Sequence, residues 1–587
     1  MSTRRGWRRP PFGAVAGLLV GWCFSGSLPV RAEDAPPVDP KIQAHAEAGE
    51  FAPAADLARQ AADPRVRDAG LAQVAAAQAQ AGAANAAVRT VAQVGDDRVR
   101  AHILAQVGGA AAGGNQGAQG GGQIADFQSL MDLITATVAP KSWDVNGGQG
   151  AIQPFPTGVW VDPNGVLCPL LKEEKDQDLA SLRTASRQRP AQDDARRSSP
   201  MRMVSLPRLE KQIQLGLAAG QPPTETMQTL AGLERIQYIF IYPESGDLVV
   251  AGPAGDWTIG PESRVVGVES GQPVVRLDDL VVVLRHMMAA ADAKFGCMIT
   301  PRQEALARAQ EFIKESSKHP VRPEYRRAWL EQFRSKVGKQ DIEVYGLDPR
   351  TRAARTLVEA DYRMKLVGMG LESGVPGVVS YLNLIKPPPP PMGVLRWWFT
   401  LNYEAILASK DRQAYAIRGQ GVKVLSENEH LTAEGKRVHT GESESLNQQF
   451  AHSFTEHFDA LCQKYPVYAE LRNLFDLALA AALIREEGLA EKTGWHLTCF
   501  ADPDGFVVEL GKAPKEVETV VNYRIINQKT FVAGVSGGVR VQPASLVKRQ
   551  AIEVESSPAL QQRRPSAARK QLPDDRWWWE GTPSNGR

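Results

Sequence analysis

The apolar positions of this chain change regime several times along its length. Residues 12–28 form a short apolar stretch, interrupted by Gly13, Gly17, Gly21 and Gly26. It follows a start carrying Arg4, Arg5, Arg8 and Arg9 with no acid, and precedes Val30-Arg31-Ala32. A charged start, an apolar middle and small residues at −3 and −1 are the order of a secretory signal peptide, with cleavage after Ala32. In residues 33–107, rich in Ala and Gln, one pattern returns. Arg65-Val66-Arg67 followed by Leu71-Ala72-Gln73-Val74 recurs 33 residues on as Arg98-Val99-Arg100 and Leu104-Ala105-Gln106-Val107. That period, with Gly between Ala-rich stretches, predicts stacked helix-turn-helix units of the tetratricopeptide kind. A single Ala-rich helical segment remains the alternative.

Residues 108–123 are Gly, Ala and Gln without apolar periodicity, a linker expected to uncouple its two sides. Residues 124–171 read as a small α+β domain. Phe127, Leu130, Met131, Leu133 and Ile134 follow helical spacing, and Val159-Trp160-Val161 and Val166-Leu167 flank an Asp162-Pro163-Asn164-Gly165 turn. Residues 172–200 are charged and read as a second linker. In 201–386, residues 236–242 and 248–251 predict a β-hairpin, 277–291 an apolar helix and 295–299 a strand. Thr300-Pro301-Arg302-Gln303 reads as a capped helix start, and Asp348-Pro349 opens a helix to 372. Five prolines at 387–391 predict an extended joint of ~3.1 Å per residue. Beyond it, 392–545 predicts a strand at 395–401, a polar hairpin at 413–426, helices at 445–464 and 467–487, and further strands. Residues 546–587 read as a disordered basic tail in which only Trp577-Trp578-Trp579 is apolar. The fold class is mixed α/β and α+β, multidomain, with an Ala-rich all-α N-terminal repeat region.

Composition narrows the functional classes. Removing residues 1–32 takes five basic side chains and no acidic one, leaving 63 basic against 66 acidic and a formal charge of −3. So balanced a chain offers no electrostatic basis for nucleic-acid binding. Nothing after residue 32 is long and apolar enough to predict a transmembrane span. Cys168, Cys297, Cys462 and Cys499 remain after processing. Export permits disulfides, and Cys462 with Cys499 is the candidate pair, but four cysteines spread over so long a chain read first as separate buried thiols.

A family resemblance rests on several stretches in order. They are Val204-Ser205-Leu206-Pro207-Arg208-Leu209-Glu210, Leu230-Ala231-Gly232-Leu233, and Tyr242-Pro243-Glu244 with Gly246-Asp247. Ala251-Gly252-Pro253, Leu277-Asp278-Asp279-Leu280 and Ala360-Asp361-Tyr362-Arg363-Met364-Lys365 complete the set. Over residues 155–541 the chain resembles exported planctomycete proteins grouped as domain of unknown function 1598. The resemblance implies export and no particular chemistry. Cys297-Met298-Ile299-Thr300 departs from that family's Cys-Ser-Ile-Asp at two positions. Upstream, Asp126-Phe127-Gln128-Ser129-Leu130, Ser142-Trp143-Asp144 and Pro154-Phe155, within residues 124–158, resemble a segment of secretin-type channel proteins, which implies an envelope or secretion context.

Catalytic motifs fail on spacing. Gly534-Val535-Ser536-Gly537-Gly538 fits a nucleophile elbow in letters, yet Val539-Arg540-Val541 continues as strand and no histidine follows His496. His452 and His457, the candidate metal ligands, are five apart, pointing about 140° from one another on a helix rather than sharing a face as i,i+4 ligands do. Residues 505–512 mimic a phosphate loop but have five residues between the glycine and the Gly-Lys pair, and Ala513 stands where a hydroxyl should bind magnesium. No cofactor is therefore expected. Glu359, Asp361, Arg363 and Lys365 make the most charged motif, read as i,i+4 ion pairs on a helix face, with Asp361 the candidate catalytic acid. Trp397-Trp398-Phe399 alternate too poorly for a one-sided strand and read as core, a carbohydrate platform being the alternative.

These readings point to a non-enzymatic, exported envelope scaffold with envelope or secretion proteins as partners. The alternative is a hydrolase of cell-wall or extracellular polymer, which would need Asp361, Glu404 or His496 to converge in a cleft. The intact mass of the native protein should correspond to a chain starting at Glu33; a species starting at Met1 in the envelope fraction would contradict the processing.

Overall fold

Asp63 and Asp96 set the helical register of the N-terminal region. The computed structural model describes residues 38–112, 151–162 and 194–581, apart from 48–49, 82, 156–157, 291, 317, 319–321, 388–393, 433–435, 527–528, 556–558 and 565–571. The Ala32 cleavage site, residues 113–123, the helical part of the small domain, Cys168, most of the charged linker and four of the five prolines lie outside them. Helices α1 (Pro40–Glu47), α2 (Phe51–Arg59), α3 (Pro64–Gln80), α4 (Ala84–Val91) and α5 (Asp97–Ala112) follow in order. Asp63 accepts from the Arg65 N–H at 2.9 Å, and Asp96 from Arg98 at 2.9 Å and Val99 at 3.2 Å, so the same carboxylate cap opens α3 and α5. The pair α2–α3 is followed at the sequence period by α4–α5. Ala54, Ala58, Leu71 and Val74 pack in one cluster, and Ala75, Ala87, Val91 and Leu104 in the next. The linker expected from 108 begins later, because 108–112 complete α5.

This helical region is not uncoupled from the rest. Leu215 and Ala218 of α6 (Leu206–Ala218) pack on its second cluster, and Arg100 donates to Gln214 at 3.1 Å. Between them in sequence, β1 (Ala151–Phe155) and β2 (Gly158–Asp162) pair antiparallel with Ile152 opposite Val161. The 159–161 strand thus pairs backward, rather than across the 162–165 turn.

The body is built on two mixed sheets. The seven-stranded sheet contains β3 (Ser199–Ser205), β4 (Tyr238–Tyr242), β5 (Asp247–Ala254), β11 (Ala405–Ala408), β12 (Ala414–Arg418), β18 (Ile552–Val554) and β19 (Trp578–Glu580), in the order β18-β11-β12-β4-β5-β3-β19. The eight-stranded sheet contains β8 (Phe295–Pro301), β9 (Lys339–Tyr345), β10 (Val394–Asn402), β13 (Gly421–Leu431), β14 (Arg437–His439), β15 (Glu516–Glu518), β16 (Val521–Ile526) and β17 (Lys529–Val541). Its order is β14-β13-β10-β17-β8-β9-β15, with β16 also on β17. A small ladder of β6 (Trp257–Ile259) and β7 (Val265–Gly267) stands beside them. Strands from both sides of the proline run share both sheets and one hydrophobic cluster, so 201–386 and 392–545 are not two cores joined at 387–391.

One ribbon ties the sheets together. Asn402 opposes Gly421 in the eight-stranded sheet and Ala405 opposes Arg418 in the seven-stranded one, a single unbroken register. The polar hairpin expected at 413–426 is therefore the returning arm of a longer hairpin starting at Val394, which changes sheets at 403–404 and 419–420. Gly419 has φ +119°, and a Cβ there would lie 2.8 Å from the Glu404 nitrogen. Only glycine makes that corner. Along β10 the burial alternates: Leu395, Trp397, Phe399 and Leu401 point inward, while Trp398 lies half-exposed beneath Arg396, whose guanidinium is 4.6 Å from its ring centre. The alternation that sequence reading missed is complete.

The remaining helices of seven residues or more are α7 (Leu277–Ala289), α8 (Gln303–Ser316), α9 (Arg326–Val337), α10 (Arg352–Gly368), α11 (Ser445–Glu456), α12 (Phe458–Lys464) and α13 (Pro466–Glu486). Thr300-Pro301 does not cap α8, because β8 runs through Pro301 opposite Gln340. Every residue of α13 from Val467 to Ile484 is buried, which makes it the axis of the core rather than a surface helix. Among the described residues no helix is long and apolar enough to cross a membrane.

The C-terminal segment is ordered where it is described, against the expectation of a disordered tail. Alternate residues of β4 and β5 face opposite ways: Ile239, Ile241, Leu248 and Val250 enter the main core, while Phe240, Tyr242, Val249 and Ala251 form an outer cluster. Leu560 and Trp579 complete that cluster, and Arg564 stacks on Tyr242 at 4.3 Å. Trp578 lies between Arg202, 4.6 Å from its ring centre, and Arg576, at 3.7 Å. Glu580 accepts from fully buried Arg202 at 2.7 Å. Trp578→Ala should cost about 3–5 kcal/mol, the range for emptying a buried aromatic site. Denaturant unfolding measures it; a midpoint unchanged from wild type would mean that β19 does not contribute.

Candidate functional site

Asp361 lies on α10, whose first turn is capped by Thr351 accepting from the Ala354 N–H at 3.3 Å. Its face turns toward β8 and β17, not toward water. Lys365, one turn on, donates to Asp361 at 2.5 Å, and both side chains have no solvent exposure. The other Asp361 oxygen accepts no hydrogen bond. Burial pushes the Asp361 carboxyl up and the Lys365 ammonium down, each partner's charge opposing the shift. Cys297, on β8, feels both charges, and burial pushes its thiol far up. The i,i+4 pair expected at 361 and 365 therefore exists, but as a sealed ion pair beneath a sheet rather than on a solvated helix face.

The neighbouring charges of the motif leave their own helix. Glu359 binds Arg264 at 2.5 Å rather than Arg355, and Arg363 binds Glu262 at 2.8 Å. Arg264 also pairs with Glu470 of α13, which accepts from Arg352 at 2.8 Å; Arg352 in turn pairs with Asp279 of α7. This chain of guanidinium and carboxylate groups joins the β6–β7 region to α7, α10 and α13. On the next turn of α13, Asp476 takes both arms of Arg235 at 2.9 and 3.0 Å and the Tyr403 hydroxyl at 2.7 Å. Every one of these acids is spent on a cation.

The other candidates are dispersed. Glu404 borders a shallow cleft of 350 Å³ at the ribbon corner with Arg235, Arg418 and Arg563. The His496 Nε2 lies 3.7 Å from Asp97 at the seam with the N-terminal helices, where the His496 backbone N–H donates to that carboxylate at 2.8 Å. His452 projects from α11 at 81% exposure, 3.7 Å from Glu456. His457 ends the same helix, 3.0 Å from the Ser453 carbonyl and against Gly377. The two do not gather as ligands. Cys462 and Cys499 are free buried thiols, not a disulfide, each pushed up to about 12 by burial, so neither is a thiolate at neutral pH. Ser536 stands mid-strand in β17 with no exposure, donating toward Glu429 at 3.3 Å and accepting from Arg437 at 2.8 Å.

One gathering was missed by sequence reading. Glu427 and Glu429 on β13 and His439 on β14 bring one ligand atom each within 4.8 Å of one another, the one such group among the described residues. Desolvation would raise the Glu427 carboxyl, but the Gly441 N–H and the Arg396 guanidinium outweigh it and hold the group below its usual range. The signal was present: Glu-x-Glu on a strand puts two carboxylates on one face.

Comparison with known families matches one internal stretch. Residues 297–381 match the family described as protein of unknown function (DUF1598). The match opens at Cys297 and takes in α10 with Asp361 and Lys365, so this part of the chain is a domain of unknown function. It is narrower than the 155–541 stretch over which the sequence resembles that family. No curated protein and no solved structure matches the chain.

Lys365→Met should destabilise the protein by about 3–5 kcal/mol, because it strands a buried carboxylate. The double variant Asp361→Leu with Lys365→Met should recover most of that loss. Additive single effects in denaturant unfolding would show that the pair does not act as a unit.

Proposed function

We propose that this chain is an exported, non-enzymatic envelope scaffold that docks partners through its N-terminal helices. The carrying observation is the dispersal of its acid–base groups. Asp361 is sealed beneath a sheet with Lys365, Glu404 borders a shallow cleft, and His496 belongs to a seam between helices. A hydrolase needs two such groups around one reacting bond. Two further features support the reading. Paired helices stacked at a fixed sequence period present an extended surface of the kind repeat proteins use for partners. The charged start and cleavage pattern before Ala32, with the resemblance of residues 124–158 to secretin-type proteins, favours an envelope setting, in planctomycete-like bacteria by the wider resemblance.

Cross-linking of the mature protein in envelope preparations, read by mass spectrometry, should concentrate intermolecular links in residues 38–112. Incubation with isolated cell-wall sacculi or extracellular polysaccharide should release no soluble fragments above a buffer control. Release that disappears in Glu404→Gln or His496→Ala would replace the scaffold with the hydrolase. Links confined to residues 194–581 would move the docking surface off the helices.

A further inference from the structure

The free edge of the eight-stranded sheet brings three electron-pair donors to one point. His439 on β14 stands opposite Glu429 on β13 in the antiparallel register, and Glu427 is two residues along the same face. The His439 Nδ1 lies 3.2 Å from Glu427 Oε2 and 3.2 Å from Glu429 Oε1. Three of the four carboxylate oxygens already accept from other groups, including Glu427 Oε2, which faces His439. Arg396 donates to Glu427 Oε2 at 2.8 Å, and the Gly441 N–H to its Oε1 at 3.0 Å. Arg437 and Ser536 donate to Glu429 Oε2 at 3.0 and 3.3 Å. The inward oxygen of Glu429, Oε1, accepts no hydrogen bond, although that side chain has no solvent exposure. A buried carboxylate oxygen left bare is destabilising. One proton on Nδ1 completes a single good hydrogen bond, so it serves one carboxylate and neglects the other. A metal ion at the same point serves all three groups.

We propose that Glu427, Glu429 and His439 form a binding site for a divalent transition-metal ion of the zinc class. The spacing fits: ligands bonded at ~2.0–2.1 Å around a tetrahedral ion stand roughly 3.3–3.4 Å apart, and the two separations here are 3.2 Å. One imidazole and two carboxylates suit zinc or manganese over calcium or magnesium, which prefer an all-oxygen shell. His439 is 61% exposed, so an ion has an entry path and its fourth position opens to water. Arg437, Ser536 and the Gly441 N–H hold the oxygens turned away from His439, as outer groups do in metal sites. The two guanidinium charges lower affinity, and Arg396 must share Glu427 Oε2 with the ion. The expected site is therefore accessible, tied to the pairing of β14 with β13, and of moderate strength.

The test is titration of the chelator-treated full-length mature protein with Zn²⁺, by calorimetry and by thermal unfolding. Wild type should bind one equivalent and unfold at a higher temperature with the ion present. His439→Ala, an exposed edge position that leaves the core intact, should weaken binding at least tenfold and abolish the thermal shift. Glu429→Gln should do the same, and His452→Ala, on a separate helix, should change neither. Co²⁺ in place of Zn²⁺ should give the strong visible absorption of a tetrahedral centre in wild type and lose it in His439→Ala. The proposal fails if wild type takes up no stoichiometric Zn²⁺. It fails equally if His439→Ala binds as wild type does, in which case the three groups are held by a proton on His439.

Discussion

The buried helix Pro466–Glu486 is the constraint on which the remaining structure depends. Its apolar residues form the axis of the core, but Glu470, Arg472, Asn473 and Asp476 are buried on the same helix. Charges removed from water must be paired and hydrogen-bonded, and each unmet group costs several kcal/mol. Each of these side chains therefore dictates a neighbour. Glu470 draws in Arg264 and Arg352, Arg472 takes Asp459 and Gln272, Asn473 donates to the Pro273 carbonyl, and Asp476 collects Arg235 and Tyr403. The partners come from segments more than two hundred residues apart. Apolar burial positions the helix, and the polar groups specify its rotation and which loops reach it.

Two of those partners lie where the long ribbon changes sheets. Tyr403 sits at the corner between β10 and β11, and Arg235 precedes β4, which pairs with β12 on the returning arm. Asp476 thus pins the corner that Gly419 makes sterically feasible. One hairpin serves two sheets because its two arms bend together at the same pair of positions, keeping register across the bend. This arrangement explains why the segments on either side of the proline run cannot form separate cores. Each sheet is incomplete without strands from both.

The C-terminal segment closes the remaining exposed face. The outer side of β4 and β5 carries Phe240, Tyr242 and Val249, which would form an exposed apolar patch without Leu560 and Trp579 above them. On the same strand as Trp579, Glu580 neutralises Arg202, which is wholly buried. A basic stretch with few apolar residues is thereby ordered by a small number of well-placed contacts: three tryptophans, one leucine and stacked arginines.

Local structure was legible in the residues, because it depends on near neighbours. The 33-residue period pointed to the helix pairs α2–α3 and α4–α5, and the apolar runs located β4, β5, α7 and α13. The strand after Ser536 excluded a nucleophile elbow before any coordinates. The run at 236–242 even carried a tertiary message, since apolar residues on both faces of a strand require cover on both sides. What covers it lay three hundred residues away and was read as disordered, because composition reports average hydrophobicity and not which few side chains will find a complementary surface. Likewise Asp361 and Lys365 were a pair by spacing, yet only the packing of α10 under β8 and β17 made that pair buried and inert. The Glu427, Glu429 and His439 group needed the pairing of β13 with β14 to exist at all. Sequence by itself determined the longer apolar elements, the helical period and the export pattern through short-range sterics and periodicity. Tertiary structure alone decided which charges were desolvated together, because that depends on long-range pairing that no local pattern encodes.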